Sequence, residues 1–151
     1  DRFERLAKPA GGGALALGLA VMALFGAFMI RFGDIKPPPE TMPQAALAFA
    51  REQGLTSRPV FNHYNFGGYL LGQGVPTFID GRGELYGGAF IKRFSEAVNL
   101  RGDSKLEELL ERYKIEWTFL TRDAAANKLL SVLPNWRQVY SDEQATIFVR
   151  Q

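Results

Sequence analysis

The sequence predicts an α/β protein: one N-terminal transmembrane helix, then a small, three-layer-like α/β domain with a mainly parallel sheet and a C-terminal antiparallel hairpin. Three observations carry that expectation. Residues 10–30 contain no charged side chain, helical and strand-like patterns alternate from Thr41 onward, and two strand-like runs at the end flank a short polar loop. The chain has 151 residues, 46% of them hydrophobic and 23% charged, which excludes wholesale disorder. About 110 residues after the span suffice for one core.

The run Gly11–Ile30 reads GGGALALGLAVMALFGAFMI. Twenty helical residues reach about 30 Å, the hydrocarbon thickness of a bilayer. A secretory signal would carry a shorter apolar core and a small-residue cleavage site; here the run ends at Ile30-Arg31-Phe32. Residues 1–36 therefore read as the span with its flanks, the apolar part lying at about 10–30. Ala14 and Gly18, Ala16 and Ala20, and Ala23 and Ala27 are each four apart. That spacing either lets neighbouring helices pack closely or reflects only how common alanine and glycine are in such spans. The formal net charge is +2, and all of the excess lies in residues 1–36. Arg2, Arg5 and Lys8 before the span, against Arg31 and Lys36 after it, place the N-terminal end in the cytoplasm and the domain outside. A chain opening on Asp1 is expected to be a fragment or a processed product.

Residues 37–40 form a Pro-rich linker, and the soluble domain is expected over 41–151. Pro43 starts a helix that Gly54 stops. Arg58–Asn62 reads as a first strand, Tyr69–Leu71 as a helical turn after Gly67-Gly68, and Val75–Asp80 as a buried second strand with Pro76 near its start. Phe90–Val98 is helical. Ser104 and Glu107 form a capping box for a helix with Leu106, Leu109, Leu110 and Tyr113 as its apolar stripe. Ile115–Leu120 is a third strand, Asp123 caps a helix over Ala124–Leu133, and Trp136–Tyr140 and Ala145–Arg150 make the hairpin.

Composition removes several function classes. There is no cysteine and one histidine, His63, so thiol chemistry and multi-histidine or cysteine-ligated metal sites are excluded within one chain. Residues 37–151 are neutral overall, so no basic field exists to follow a phosphate backbone and no nucleic acid is expected. The glycines match no phosphate-binding motif, and no cofactor is assigned.

Polar residues gather in two stretches, Asn62-His63-Tyr64-Asn65-Phe66-Gly67-Gly68-Tyr69 and Asp80-Gly81-Arg82-Gly83-Glu84-Leu85-Tyr86-Gly87-Gly88. Each follows an expected strand, at the sheet edge where open α/β folds bind ligands. The candidate ligand-binding residues are Asn62, His63, Tyr64, Asn65, Asp80, Arg82, Glu84 and Tyr86. Each has a plainer role. Asp80 suits an Asp-Gly turn or an ion pair with Arg82 that closes the loop. The two glycines suit a close approach or an unusual backbone angle. His63 has no carboxylate beside it in its segment to orient it as a base, and Asp80 with Glu84 lacks a third metal ligand. No residue is assigned as catalytic or metal-binding.

These same residues carry a resemblance. Val60-Phe61-Asn62, Asn65-Phe66-Gly67-Gly68-Tyr69-Leu70, Phe78-Ile79-Asp80-Gly81-Arg82, Glu84-Leu85-Tyr86 and Trp136…Val139-Tyr140-Ser141-Asp142 are similar to a C-terminal domain of bacterial multi-pass membrane proteins. Those proteins resemble C-type glycosyltransferases of the dolichyl-phosphate-mannose mannosyltransferase kind. Phe66, where tryptophan is expected, and the short Gly72-Gln73-Gly74 link depart from the pattern. The resemblance covers roughly residues 40–151 and fits the preceding helix. It implies a bacterial inner-membrane protein with an extracytoplasmic (periplasmic) domain and a lipid-phosphate sugar donor. The acidic catalytic residue would lie in an early loop outside this chain. The implied partners are the bilayer, other transmembrane helices of the parent protein, and a lipid-linked sugar or glycan acceptor. A second reading is a binding or interaction module anchored by one helix and without enzymatic activity.

Overall fold

A computed structural model describes residues 12–32, 38, 41–103 and 105–151. Helix α1 covers Gly12–Phe32. It is apolar on every side, with each residue from Gly12 to Arg31 exposed except half-buried Gly26. Such a helix has no polar face to turn to water, and it is long and apolar enough to cross a membrane. The flanking charges Arg2, Arg5, Lys8 and Lys36, and most of the 37–40 linker, lie outside the described residues.

The unit from Pro38 to Gln151 is compact in its own right. Its elements run α2 (Gln44–Glu52), β1 (Val60–Asn62), α3 (Tyr64–Gly72), α4 (Gly83–Tyr86), α5 (Gly88–Asn99), α6 (Leu106–Arg112), β2 (Trp117–Thr121), α7 (Ala126–Leu130), β3 (Trp136–Ser141) and β4 (Ala145–Arg150). The four strands form one sheet in the order β1-β2-β4-β3. Only β1 and β2 pair in parallel, Val60 opposite Trp117. β4 pairs antiparallel with both β2 and β3, and an irregularity between Gln138 and Tyr140 shifts the β3 register.

Helices cover both faces because the central strands are apolar on both sides. On β2, Trp117 and Phe119 pack with Ala46, Leu47 and Ala50 of α2 and Phe66 and Leu70 of α3. Leu120, with Phe61 of β1 and Phe148 of β4, packs instead with residues of α5, α6 and α7. This is the period-two alternation of a strand read in burial. Phe61, Phe66, Trp117, Phe119 and Phe148 are fully buried, each stabilising by roughly 1.5–3 kcal/mol through removal of apolar surface from water. The Trp117 indole donates to the Arg58 carbonyl at 3.1 Å, so its one polar atom is satisfied inside the core.

Three expectations are corrected. The sheet is mixed and mostly antiparallel, not mainly parallel. The main cause is the second correction: Val75–Asp80 is an extended loop and not a strand. Pro76 has no N–H to give to a ladder, and the Phe78 and Ile79 amides are taken by the Asn62 side chain at 2.8 and 3.4 Å. Third, Asp123 does not cap α7, which starts at Ala126 after Ala125. Asn127 instead donates to the Thr121 and Arg122 carbonyls and holds that turn. Helix α3 also begins earlier than the glycine pair, and the box built on Ser104 lies outside the described residues. Helices α2 and α5, the buried leucines of α6 and the hairpin are as expected.

Candidate functional site

The two polar stretches meet at the outer edge of β1. Asn62 ends that strand and is fully buried. Its amide donates to the carbonyls of His63 at 3.0 Å and Ile79 at 2.8 Å, while its oxygen accepts from the Phe78 and Ile79 amides. A carboxamide has two donors and two acceptor sites, so nothing of Asn62 is left for a ligand. Its side chain stitches the 77–80 loop to the sheet in place of a fourth ladder.

Gly67 sits on the other side of that loop. A Cβ placed there would lie 2.2 Å from the Ile79 carbonyl oxygen and 2.6 Å from the Asp80 Cα. Only glycine lets α3 approach this backbone. Gly68 next to it is exposed and meets nothing.

Asp80 is 1% exposed and is the hub of the second stretch. Its Oδ1 accepts from the Arg82 amide and Nε, both at 2.9 Å. Its Oδ2 accepts from an Arg82 guanidinium nitrogen at 2.7 Å, the Tyr86 hydroxyl at 2.8 Å and, at 3.5 Å, the Thr77 hydroxyl. The Arg82 side chain is 52% exposed, so the carboxylate is roofed by a cation that itself stays wet. Hydrogen bonding to Arg82 holds the carboxyl well below its ordinary range, against the opposing effect of burial. The same hydrogen bond raises Arg82. Tyr86 is raised by burial and then by its hydrogen bond to Asp80, and its ring stacks on Phe90. Glu84 is exposed on α4 and touches none of this.

His63 precedes α3 and caps it. Its Nδ1 accepts from the Asn65 amide at 3.3 Å, satisfying one of the donors a helix start leaves open. Burial lowers its pKa, partly offset by the charge of Asp123. A neutral imidazole is required to accept at Nδ1, so the two features agree.

His63, Tyr64 and Asn65 also line a cleft of about 300 Å³ against α5, whose Ile91, Phe94, Ser95, Val98 and Asn99 form the other wall. Asp80, Arg82, Glu84 and Tyr86 do not line it. Seven of the eight candidates therefore divide into a latch and a cleft, with Glu84 in neither, and the two adjoin at Gly83, where a Cβ would lie 3.8 Å from the Tyr64 hydroxyl and 3.4 Å from Ile91. The α5 wall was missed in the sequence. Its apolar part shows as the stripe at positions 91, 94 and 98, while Ser95 and Asn99 sit on the exposed flank of that stripe and carry no separate signal.

No family model matches this chain, and neither a curated protein nor a solved structure matches it. Among the described residues no three His, Asp or Glu side chains gather as a metal site would require.

Proposed function

We propose that this chain is the C-terminal part of a glycosyltransferase-like integral membrane protein of the bacterial inner membrane. In this reading α1 packs against other transmembrane helices of the parent protein. The domain lies on the periplasmic side and positions a lipid-linked sugar or a glycan acceptor without doing chemistry itself. The observation that carries a positioning role is the commitment of the polar residues. Asn62 and Asp80 spend their hydrogen-bonding groups on the fold, which leaves the neutral groups of the cleft facing outward. A helix of 21 residues whose one charge, Arg31, lies in its last turn precedes the domain and supports a membrane setting.

The test is photolabelling of the parent protein in native membranes with a photoreactive polyprenyl-phosphate sugar. Label within residues 38–151, competed by unlabelled donor, is the expected result. Label confined to other regions overturns the reading and favours an anchored interaction module.

A further inference from the structure

We propose that the cleft between the start of α3 and α5 binds an uncharged, polyhydroxylated ring, a neutral sugar, seated by its apolar face on Ile91, Phe94 and Val98. The proposal deepens the positioning role above by naming the chemistry that the cleft selects.

The argument starts from α5. Residues 91, 94, 95, 98 and 99 follow the i, i+3, i+4, i+7, i+8 spacing of one helix face. Ile91, Phe94 and Val98 belong to the packed side of α5, and Ser95 and Asn99 are exposed on the flank beside them. Phe94 and Val98 are buried and Ile91 half-buried, so an apolar floor lies beside two polar groups one turn apart. Across the cleft stand the Tyr64 hydroxyl and the Asn65 carboxamide. Asn99 donates to the Ser95 carbonyl at 2.8 Å, which fixes its amide and leaves its oxygen as an acceptor.

The hydroxyls and carboxamides around the floor are neutral and both donate and accept, and the His63 imidazole, whose pKa burial lowers, stands beside them. Sugar hydroxyls have the same dual character, and the C–H face of a pyranose matches the floor. Among the described residues no Asp, Glu, Lys or Arg lines this cleft, so an anion or cation meets no counter-charge among them. The neighbouring cleft between α5 and α6 shows the contrast, being lined by Arg93, Asp103, Lys105, Glu108 and Arg112. A volume near 300 Å³ lies at the small end for ligand sites and suits one ring.

The experiment is a chemical-shift titration of the full 151-residue chain in zwitterionic, sugar-free detergent micelles. The probes are the methyl glycosides of glucose, mannose and galactose, with inorganic phosphate and sodium decanoate as controls. The expected result is saturable shifts of Asn65, Ser95 and Asn99 with at least one glycoside, insensitive to salt and not produced by either control. Ser95→Leu, which fills the cleft from an exposed position, and Asn65→Ala should each weaken that binding roughly tenfold or more. Amide spectra elsewhere in the domain should stay unchanged, which shows that both variants fold. No saturable shift with any glycoside up to its solubility limit overturns the proposal. So does the same set of shifts with phosphate or decanoate. Glycoside binding without photolabelling by the lipid-linked sugar would retain the cleft and remove the donor. Photolabelling without glycoside binding would do the reverse.

Discussion

Asp80, docked beside edge strand β1, and Asp142, in the turn after edge strand β3, use their carboxylates in nearly the same way. Asp142 accepts from the amides of Gln144 and Ala145, both at 2.7 Å, and from the Tyr140 hydroxyl at 2.7 Å. Asp80 accepts from the amide two residues on and from the Tyr86 hydroxyl. Burial alone would raise Asp142, but the Ala145 amide, the Tyr140 hydroxyl and the Gln144 amide together bring it below its ordinary value, while Tyr140 is pushed up to about 12. The difference lies in what surrounds each turn. The Asp142 turn closes a backbone ladder between β3 and β4. The Asp80 turn follows a loop with no ladder, and it depends on the Arg82 fork, the Asn62 stitch and the gap at Gly67. A turn backed by a ladder has redundant support; a turn backed by side chains does not.

That contrast predicts a graded series in thermal or denaturant unfolding of the full chain in detergent micelles. Asn62→Ala should be the most damaging substitution, at about 4 kcal/mol, because it leaves up to four backbone groups at the β1 edge without partners. A loss under about 1 kcal/mol would mean that water replaces the stitch and that the loop is not docked through Asn62. Gly67→Ala should cost about 3 kcal/mol, since the clash is with backbone and not with a side-chain tip. Asp80→Ala follows at about 2 kcal/mol, below the cost of breaking a fully buried pair because Arg82 remains wet. Asp142→Ala should cost about 1 kcal/mol, with the β3–β4 ladder holding its turn. If Asp142 proves the costlier of the two aspartates, the ladder does not supply the redundancy claimed for it. Gly68→Ala is the smallest effect and opposite in sign, a gain of about 0.5–1 kcal/mol from helix propensity at an open position.

Acid separates the same parts. His63 has a lowered pKa in the fold, so its contribution is complete above the ordinary value of 6.5 and is lost as pH falls from there through the lowered value. Asp80 is lowered too, so its contribution is complete above 3.8 and is lost at still lower pH. Unfolding followed against pH should therefore weaken in two stages. His63→Asn, which keeps a good helix cap without a titrating ring, should remove the first stage, and Asp80→Asn should remove much of the second. An unchanged first stage in His63→Asn would exclude His63 as its origin.

Much of this molecule was legible before any coordinates. The apolar stretch of α1, the α2 stripe of Ala46 and Ala50, the leucines of α6 and the final hairpin all follow from local periodicity, which acts over one or two turns. Asp80 closing on Arg82 was also readable, since the partners are two positions apart. Other features were not. Val75–Asp80 has the composition of a strand, but pairing depends on which backbone it meets, and it meets the Asn62 carboxamide and α3 instead. The sheet order followed from that, with β4 entering beside β2. The division of the candidates other than Glu84 into latch and cleft needed α5 beside Tyr64, a contact between segments some 30 residues apart. Sequence by itself determined α1, α2, α5, α6, the final hairpin and the Asp80–Arg82 contact, because propensity, periodicity and neighbouring charges act locally. Tertiary structure alone decided the edge of the sheet, the need for glycine at 67 and the walls of the cleft, because each is set by atoms that distant segments bring together.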